Sequence, residues 1–320
     1  MKNVLITGGC GFIGSHLAHH LHHNTDVENI IIIDPAVPTR LYALDLVDKT
    51  NVIFYQTKVE DVDMKDIIEG WSIDTVFHYA ATVGVVKTIE EPVNVSLDLA
   101  ITVDLLTTLK TCSNVKRFIF SSSSEVYGVV ADNVKETSAL NVHTLYASVK
   151  IAIEYFILDY LKGSHISPLI LRFFNTSGPL QDEAFIVPAF VEAAINGKPM
   201  KIFGSGNNAR CYTHVRDNVR ATTLLISKGA EGIFNLGCSD NANVQSVVNM
   251  AHIVSTVVRV DTKIERVPEL YDVDTIFRQP NNDKLMEVIT PFEFQSVIKI
   301  VFDIVDYKCK NHGVKEPTTK

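Results

Sequence analysis

The stretch Val4-Leu5-Ile6-Thr7-Gly8-Gly9-Cys10-Gly11-Phe12-Ile13-Gly14 runs from four strand-forming residues into a turn with glycine at positions 8, 11 and 14. The residues that follow carry the apolar spacing of a helix. Where a strand passes through a tight turn into a helix, the helix N-terminus offers unpaired N–H groups to a phosphate. Gly8 permits the turn, Gly11 lets backbone approach a pyrophosphate, and Gly14 lets the helix pack closely on the sheet. Asp34 closes the next strand about 20 residues later, where an acid accepts the hydroxyls of an adenosine ribose and repels a 2′-phosphate. The pattern predicts a site for NAD rather than NADP, built from Gly8, Gly11, Phe12, Ile13, Gly14 and Asp34.

Outward from this turn, short β-branched runs at Val4 to Thr7, Ile30 to Ile33, Val52 to Tyr55, Thr75 to Phe77, Arg117 to Ser121 and Pro168 to Leu171 read as strands. Their near-continuous apolar character suits a sheet buried on both faces. Helical segments near 12–23, 63–69, 93–112 and 146–162 alternate with them, so the expected fold is α/β, a Rossmann-type doubly wound parallel sheet. Beyond about residue 175 glycine and proline become denser, as in Gly178-Pro179 and Gly204-Ser205-Gly206. The expected division is a dinucleotide-binding domain at 1–172, a smaller substrate-binding region at 173–310 that interleaves with it, and a tail at 311–320.

Composition excludes other classes. The 320 residues are 46% apolar and 21% charged, as in globular proteins with a large core. The net charge is −8, and the thirteen residues from Lys308 onward hold four lysines and one glutamate, so the remainder is more acidic still. No broad basic field is available for a nucleic acid, and any phosphate must be held by local geometry and a few placed cations. The five cysteines are far apart with no Cys-x-x-Cys pair, which reads as reduced thiols in a cytoplasmic protein. The N-terminus lacks the order of a signal peptide and no apolar run approaches membrane-spanning length, so no membrane association is expected.

The segment Thr7-Gly8-Gly9-Cys10-Gly11-Phe12-Ile13-Gly14-Ser15-His16-Leu17 resembles the opening of the extended short-chain dehydrogenase/reductase family. Two further features fit that likeness. Tyr146 and Lys150 stand four apart at the start of a helix and share one face. An ammonium beside a phenol favours the phenolate and is expected to lower the tyrosine pKa toward the working range. Upstream, the strand Arg117 to Ser121 runs into Ser122-Ser123-Ser124-Glu125-Val126-Tyr127-Gly128, at the carboxyl edge where such sheets bind ligands.

The resemblance extends to about residue 290 and implies roles. Ser123 becomes the hydroxyl that bonds the reacting oxygen, Tyr146 the proton acceptor and Lys150 its partner, the last two also touching NAD. His78-Tyr79-Ala80-Ala81 is similar to a family segment beside the cofactor, which implicates Ala80. Arg172-Phe173-Phe174-Asn175, then Gly204-Ser205-Gly206 with Arg210, and Arg278-Gln279-Pro280 look like the nucleotide-sugar branch. By that likeness Asn175, Ser123 and Ser124 contact the sugar substrate, while Arg210 and Arg278 hold its diphosphate, a task suited to guanidinium forks.

The branch oxidises its sugar at carbon 4 and recycles NAD, so the expected function is that of a nucleotide-sugar epimerase/dehydratase. Glu125 stands where dehydratases and decarboxylases of the branch carry a catalytic glutamate, and Ser124 where the commonest dehydratase pattern has aspartate. Epimerisation, dehydration and decarboxylation of a UDP-glucuronate-like substrate all stay open. So do net oxidation of an alcohol and a cofactor sensor without chemistry. Two departures stand out: Leu99, Thr102 and Val103 replace an Asn-x-x-Gly-Thr stretch, and His143-Thr144-Leu145 replaces a proline-rich lead-in to the tyrosine.

His16, His19, His20, His22 and His23 crowd the first helix and are expected to form its solvated face, with Ile13, Leu17 and Leu21 inward and no metal bound. Segments 93–112 and 146–162 are apolar nearly all round, which predicts a homodimer through these two helices.

Overall fold

The computed structural model describes residues 1–82, 88, 90–261, 263–268 and 276–312. Residues 313–320 of the expected tail lie outside the described residues. The chain divides into two compact units, one of Met1–Val126, Leu140–Phe173 and Thr222–Phe234, the other of Tyr127–Ala139, Phe174–Ala221 and Asn235–Lys320.

The first unit is built on seven strands: β1 (Asn3–Thr7), β2 (Asn29–Ile33), β3 (Val52–Tyr55), β4 (Thr75–His78), β5 (Arg117–Ser123), β6 (Ser167–Phe173) and β7 (Gly232–Leu236). Their order across the sheet is β7-β6-β5-β4-β1-β2-β3. The pairs from β3 to β6 are parallel. Strand order reverses between β1 and β4, the switch point at which such sheets receive ligands outside their carboxyl ends. Ile30 to Ile33 are all fully buried, as a strand covered on both faces requires.

Among the described residues the sheet is accompanied by α1 (Phe12–Asn24), α2 (Thr39–Ala43), α3 (Met64–Gly70), α4 (Pro92–Thr111) and α5 (Leu145–Tyr160). Leu105, Leu106 and Leu109 of α4 join Ile153 and Ile157 of α5 in one core with Phe118 and Phe120 of β5. By length and composition α4 is apolar enough to cross a membrane, yet it is one of the helices lining this core. Its outer residue Leu97 is 47% exposed, and Tyr155 of α5 is 64% exposed.

The histidine-rich helix departs from expectation. His16 is buried with Nδ1 2.9 Å from the Phe12 carbonyl, and His20 Nε2 lies 3.1 Å from Thr223 Oγ1. Helix α1 is covered on more than its sheet side, so His16 and His20 serve packing and local bonding, whereas His23 is exposed as expected. Leu17 and Leu21 are buried as expected, and Ile13 is half-buried. Among the described residues no group of three His, Cys, Asp or Glu side chains could hold a metal ion.

The second unit contains a four-stranded sheet in the order Val244–Ser246, Ala209–Cys211, Phe277–Pro280, Val130–Val134. Its core lies among the helices Ile186–Ile195, Val247–Val258 and Val297–His312, through residues such as Phe190, Met250 and Ile304.

Candidate active site

The glycine turn is closely packed. Gly8 takes φ +74°, and a Cβ there would stand 2.5 Å from the Ala80 nitrogen, so only glycine fits between β1 and the loop after β4. A Cβ on Gly14 would collide with the Gly8 carbonyl oxygen. Gly11 is the N-cap of α1 with no side-chain cap, which leaves the first N–H groups of the helix to a ligand. Phe12 and Ile13 form the first turn of α1.

Asp34 follows β2 and is buried. Its Oδ2 accepts the Cys10 N–H and its Oδ1 the Ala36 N–H, both at 2.9 Å, which fixes the carboxylate while leaving each oxygen a further lone pair. Burial, reinforced by the Asp34 charge, pushes the Cys10 thiol up to about 12. Arg40 of α2 donates to the Cys10 carbonyl at 3.2 Å. Six residues past Asp34 in a five-residue helix, it offered no sequence signal.

A chain of hydrogen bonds joins the ends of β1 and β4 to α4. The Thr102 hydroxyl donates to the Asp98 carbonyl at 2.7 Å, so toward His78 Nε2, 3.0 Å away, it is the acceptor. Neutral His78 then carries its proton on Nε2, and Nδ1 accepts from the Thr7 hydroxyl at 2.8 Å. Thr7 Oγ1 in turn accepts the Ala80 N–H at 3.4 Å. Burial holds the His78 pKa down to about 3, in keeping with a neutral ring.

Strand β5 extends two residues further than the sequence suggested and carries Ser123 at its carboxyl end, where a short 3-10 turn, Ser124–Tyr127, begins. Ser123 Oγ accepts the Glu125 N–H at 3.2 Å, and its hydroxyl bonds the Tyr146 phenol. Ser124 is buried. The residues ahead of Tyr146 find their purpose in local structure: Thr144 is the N-cap of α5, its Oγ1 accepting the Ala147 N–H at 3.1 Å.

Lys150, one turn beyond Tyr146, is buried, donates to the Ser121 carbonyl at 2.8 Å and stands 5.6 Å from the centre of the Tyr146 ring. Burial pulls its pKa down to about 8 against the opposing pull of the Asp98 and Glu154 carboxylates. The expected lowering of Tyr146 is corrected here. Burial raises the phenol pKa, the charges of Glu125 and Asp98 add to the rise, and only the Ser123 hydrogen bond opposes it. The i,i+4 spacing identified a neighbouring ammonium, but burial of the phenol sets the direction of the shift.

Sequence reasoning missed the support beneath this pair. Glu154, one turn beyond Lys150, is buried and receives Arg172 Nε at 3.0 and 3.2 Å and Nη2 at 2.7 Å, together with the Ser122 hydroxyl. The salt bridge ties α5 to β5 and β6 just below Ser123. Arg172 was visible only as part of a motif, and Glu154 only as one acid in an apolar helix.

In the second unit, Arg210 and Arg278 are direct partners on neighbouring parallel strands. Arg278 is 2% exposed and donates through Nη2 to the Gly128 carbonyl at 2.8 Å. Such burial excludes an ordinary surface arginine. The Asn175 carbonyl accepts the Thr213 N–H at 2.9 Å, while its side-chain Oδ1 is buried without a hydrogen-bond partner among the described residues.

A model of the NAD dependent epimerase/dehydratase family matches residues 4–237, which include the glycine turn and the Ser123, Tyr146 and Lys150 set. The chain belongs to this family. NAD is accordingly its cofactor and the protein is an enzyme of the NAD-dependent epimerase/dehydratase class. It is 32% identical over 255 residues to a dTDP-D-glucose 4,6-dehydratase of Dictyostelium discoideum, a match covering 74% of this chain and 58% of that protein's length. It is 30% identical over 283 residues to a UDP-N-acetyl-alpha-D-glucosaminuronate decarboxylase of Bacillus cytotoxicus, covering 83% of this chain and 84% of that one. Among solved structures, a UDP-N-acetylglucosamine 4-epimerase from Methanobrevibacter ruminantium, in complex with UDP-N-acetylmuramic acid, superimposes with a TM-score of 0.87 at 26% identity. That family likeness covers 97% of this chain and 98% of the epimerase.

Proposed function

We propose that the protein acts on a nucleotide-diphosphate sugar by transient oxidation at carbon 4, with NAD restored within each turnover. One observation carries this reading: Ser123 acts on Tyr146, and Lys150 Nζ stands 5.6 Å from the Tyr146 ring, at the carboxyl edge of a sheet whose first turn is closed by glycine. Gly8, Gly11, Phe12, Ile13 and Gly14 hold the pyrophosphate against the N-terminus of α1, Asp34 the adenosine ribose, and Ala80, Tyr146 and Lys150 the reacting end. When bound, NAD supplies the hydride acceptor and later the donor.

Tyr146 removes the proton of the carbon 4 hydroxyl while Ser123 bonds the same oxygen. The carbon 4 hydrogen leaves as hydride and a 4-keto sugar forms. Lys150 holds positive charge beside the phenolate, which opposes the desolvation that otherwise keeps Tyr146 protonated. Ser124 and Asn175 contact the sugar, and Arg210 and Arg278 take its diphosphate. The names of the relatives support a nucleotide sugar as substrate.

A second reading is favoured by Glu125. Its charge is felt at Tyr146, so an acid stands beside the proton-transfer pair. That placement suits proton movement at carbon 5 or 6 after oxidation, as dehydration or decarboxylation demands. Incubation with a panel of UDP-, GDP- and dTDP-sugars, followed by mass spectrometry, separates the readings. An isomer indicates epimerisation, loss of water dehydration and loss of carbon dioxide decarboxylation; an unchanged panel contradicts the proposal.

A cytoplasmic homodimer completes the picture. The half-exposed apolar faces of α4 and α5, with Leu97 and Tyr155 outermost, supply the contact. Light scattering at micromolar protein is expected to give twice the chain mass, and a monomer would remove this part.

A further inference from the structure

We infer that the second unit carries an anion site separate from the residues assigned to NAD and to the sugar nucleotide, and that it takes a phosphate ester of a small organic molecule. The site is a cavity of about 590 Å³. It is lined by the ends of the helices Ile186–Ile195 and Val247–Val258 and by residues at the entry to the strands Met200–Phe203 and Ile264–Val267. No residue placed in the proposed active site lines it.

Strand register brings two cations together. The strands Met200–Phe203 and Ile264–Val267 pair in parallel with Ile264 opposite Met200, and the Met200 N–H donates to the Lys263 carbonyl at 2.8 Å. Lys198 and Lys263 thus stand just ahead of two adjacent strands. Arg259 ends the helix Val247–Val258 in the left-handed conformation at φ +62°, its N–H donating to the Ser255 carbonyl. Lys198, Lys263 and Arg259 all line the cavity, and Asp261 is the one acid beside them. Three positive charges less one negative leave +2 there, in a chain whose net charge is −8. Neither lysine has an ion pair among the described residues. Like charges gathered without acid partners repel, and a bound anion relieves that repulsion.

An independent observation points the same way. Ser255 lines this cavity, is 4% exposed, and its Oγ is buried without a hydrogen-bond partner among the described residues. A buried hydroxyl left in that state costs stability, and a phosphate oxygen supplies the acceptor it lacks. The ligand class follows from charge and room. A phosphate monoester brings close to two negative charges and three acceptor oxygens, which matches the local excess, whereas a carboxylate brings one charge. The volume falls within the roughly 300–1,000 Å³ of small-molecule sites, more than phosphate alone fills. Ala194, Met200 and Val260 give the cavity an apolar wall for the organic part.

Isothermal titration of the NAD-loaded protein with phenyl phosphate and with inorganic phosphate, at constant ionic strength, tests the site. Phenyl phosphate should bind saturably and at least roughly threefold tighter than inorganic phosphate, as burial of its ring predicts. Replacing both lysines, Lys198→Gln with Lys263→Gln, should weaken it by at least about tenfold, the scale of a lost charged hydrogen bond. Arg210→Gln should leave it unchanged. Binding indifferent to the lysine pair, binding abolished by Arg210→Gln, or no saturation by about 10 mM, a Kd weaker than millimolar, would overturn the inference. Equal affinity for the two probes would assign the cavity to free phosphate and overturn the ester. Ser255→Ala supplies a second test. The thermal midpoint of the ligand-free variant should hold or rise, because an unserved hydroxyl is gone, while its Kd for phenyl phosphate rises by roughly threefold or more. A lower midpoint with unchanged binding would count against the site. These readouts use no nucleotide sugar, so they stand or fall apart from the proposed reaction.

Discussion

Ser123 Oγ accepts the Glu125 N–H at 3.2 Å, and the serine side chain favours the phenolate of Tyr146. With the backbone N–H already directed at the serine oxygen, the hydroxyl proton is free to point at Tyr146. That arrangement stabilises the phenolate before substrate arrives. Tyr146→Phe is expected to lower kcat by about 10²–10⁴, the range for loss of a general base. The NAD-induced rise in unfolding temperature should survive, since the glycine turn is untouched; loss of both together would point to misfolding instead.

Lys150 is a buried cation whose pKa falls from 10.5 to about 8. Between those values the unfolded chain binds a proton that the folded chain does not, so stability rises as pH increases through this window. At pH 7, below both values, the full penalty is present, about 3 kcal/mol at roughly 1.4 kcal/mol per unit. Lys150→Met is thus predicted to raise the unfolding temperature at pH 7, to lose that advantage above pH 10, and to abolish turnover. Thermal scans across pH check the sign.

His78 moves in the acid range. Its pKa falls from 6.5 to about 3 on burial, so below pH 6.5 the unfolded chain takes up a proton that the native chain refuses. Stability is lost as pH falls from 6.5 toward 3, at up to about 1.4 kcal/mol per unit from this residue. In His78→Gln that part of the slope should disappear, as measured by urea unfolding at several pH values.

Gly14→Ala would place a Cβ against the Gly8 carbonyl, backbone that cannot move aside without reshaping the turn. The expected result is loss of the NAD-induced thermal shift with secondary structure retained by circular dichroism.

Arg278 is buried, and its register partner on the next strand is Arg210. Replacing Arg278 by lysine forfeits the planar fork and leaves the Gly128 carbonyl less well served. KM for the nucleotide sugar should rise by roughly 10–100-fold with a smaller change in kcat, consistent with loss of one to three kcal/mol from a charged hydrogen bond.

Much of this was legible in the residues, for identifiable reasons. Ile30 to Ile33 could be read as a doubly covered strand because four consecutive β-branched residues leave little else. The glycine turn and Asp34 were legible because backbone contact with a phosphate admits few residue types. That the later region interleaves with the first was expected, but which residues return, Thr222–Phe234 with β7 beside β6, was not legible, because that pairing is distant in sequence. The sign of the Tyr146 shift escaped as well. Spacing reveals a neighbouring charge, whereas burial emerges only when β5, α4 and α5 are packed together.

The central claim is that hydride leaves carbon 4 of a nucleotide sugar and returns within the same turnover. The measurement that tests it most directly uses a sugar nucleotide deuterated at carbon 4, once the panel has identified an accepted one. The product should retain the deuterium while NADH fails to accumulate. Deuterium recovered in released NADH, in proportion to product, would contradict the account.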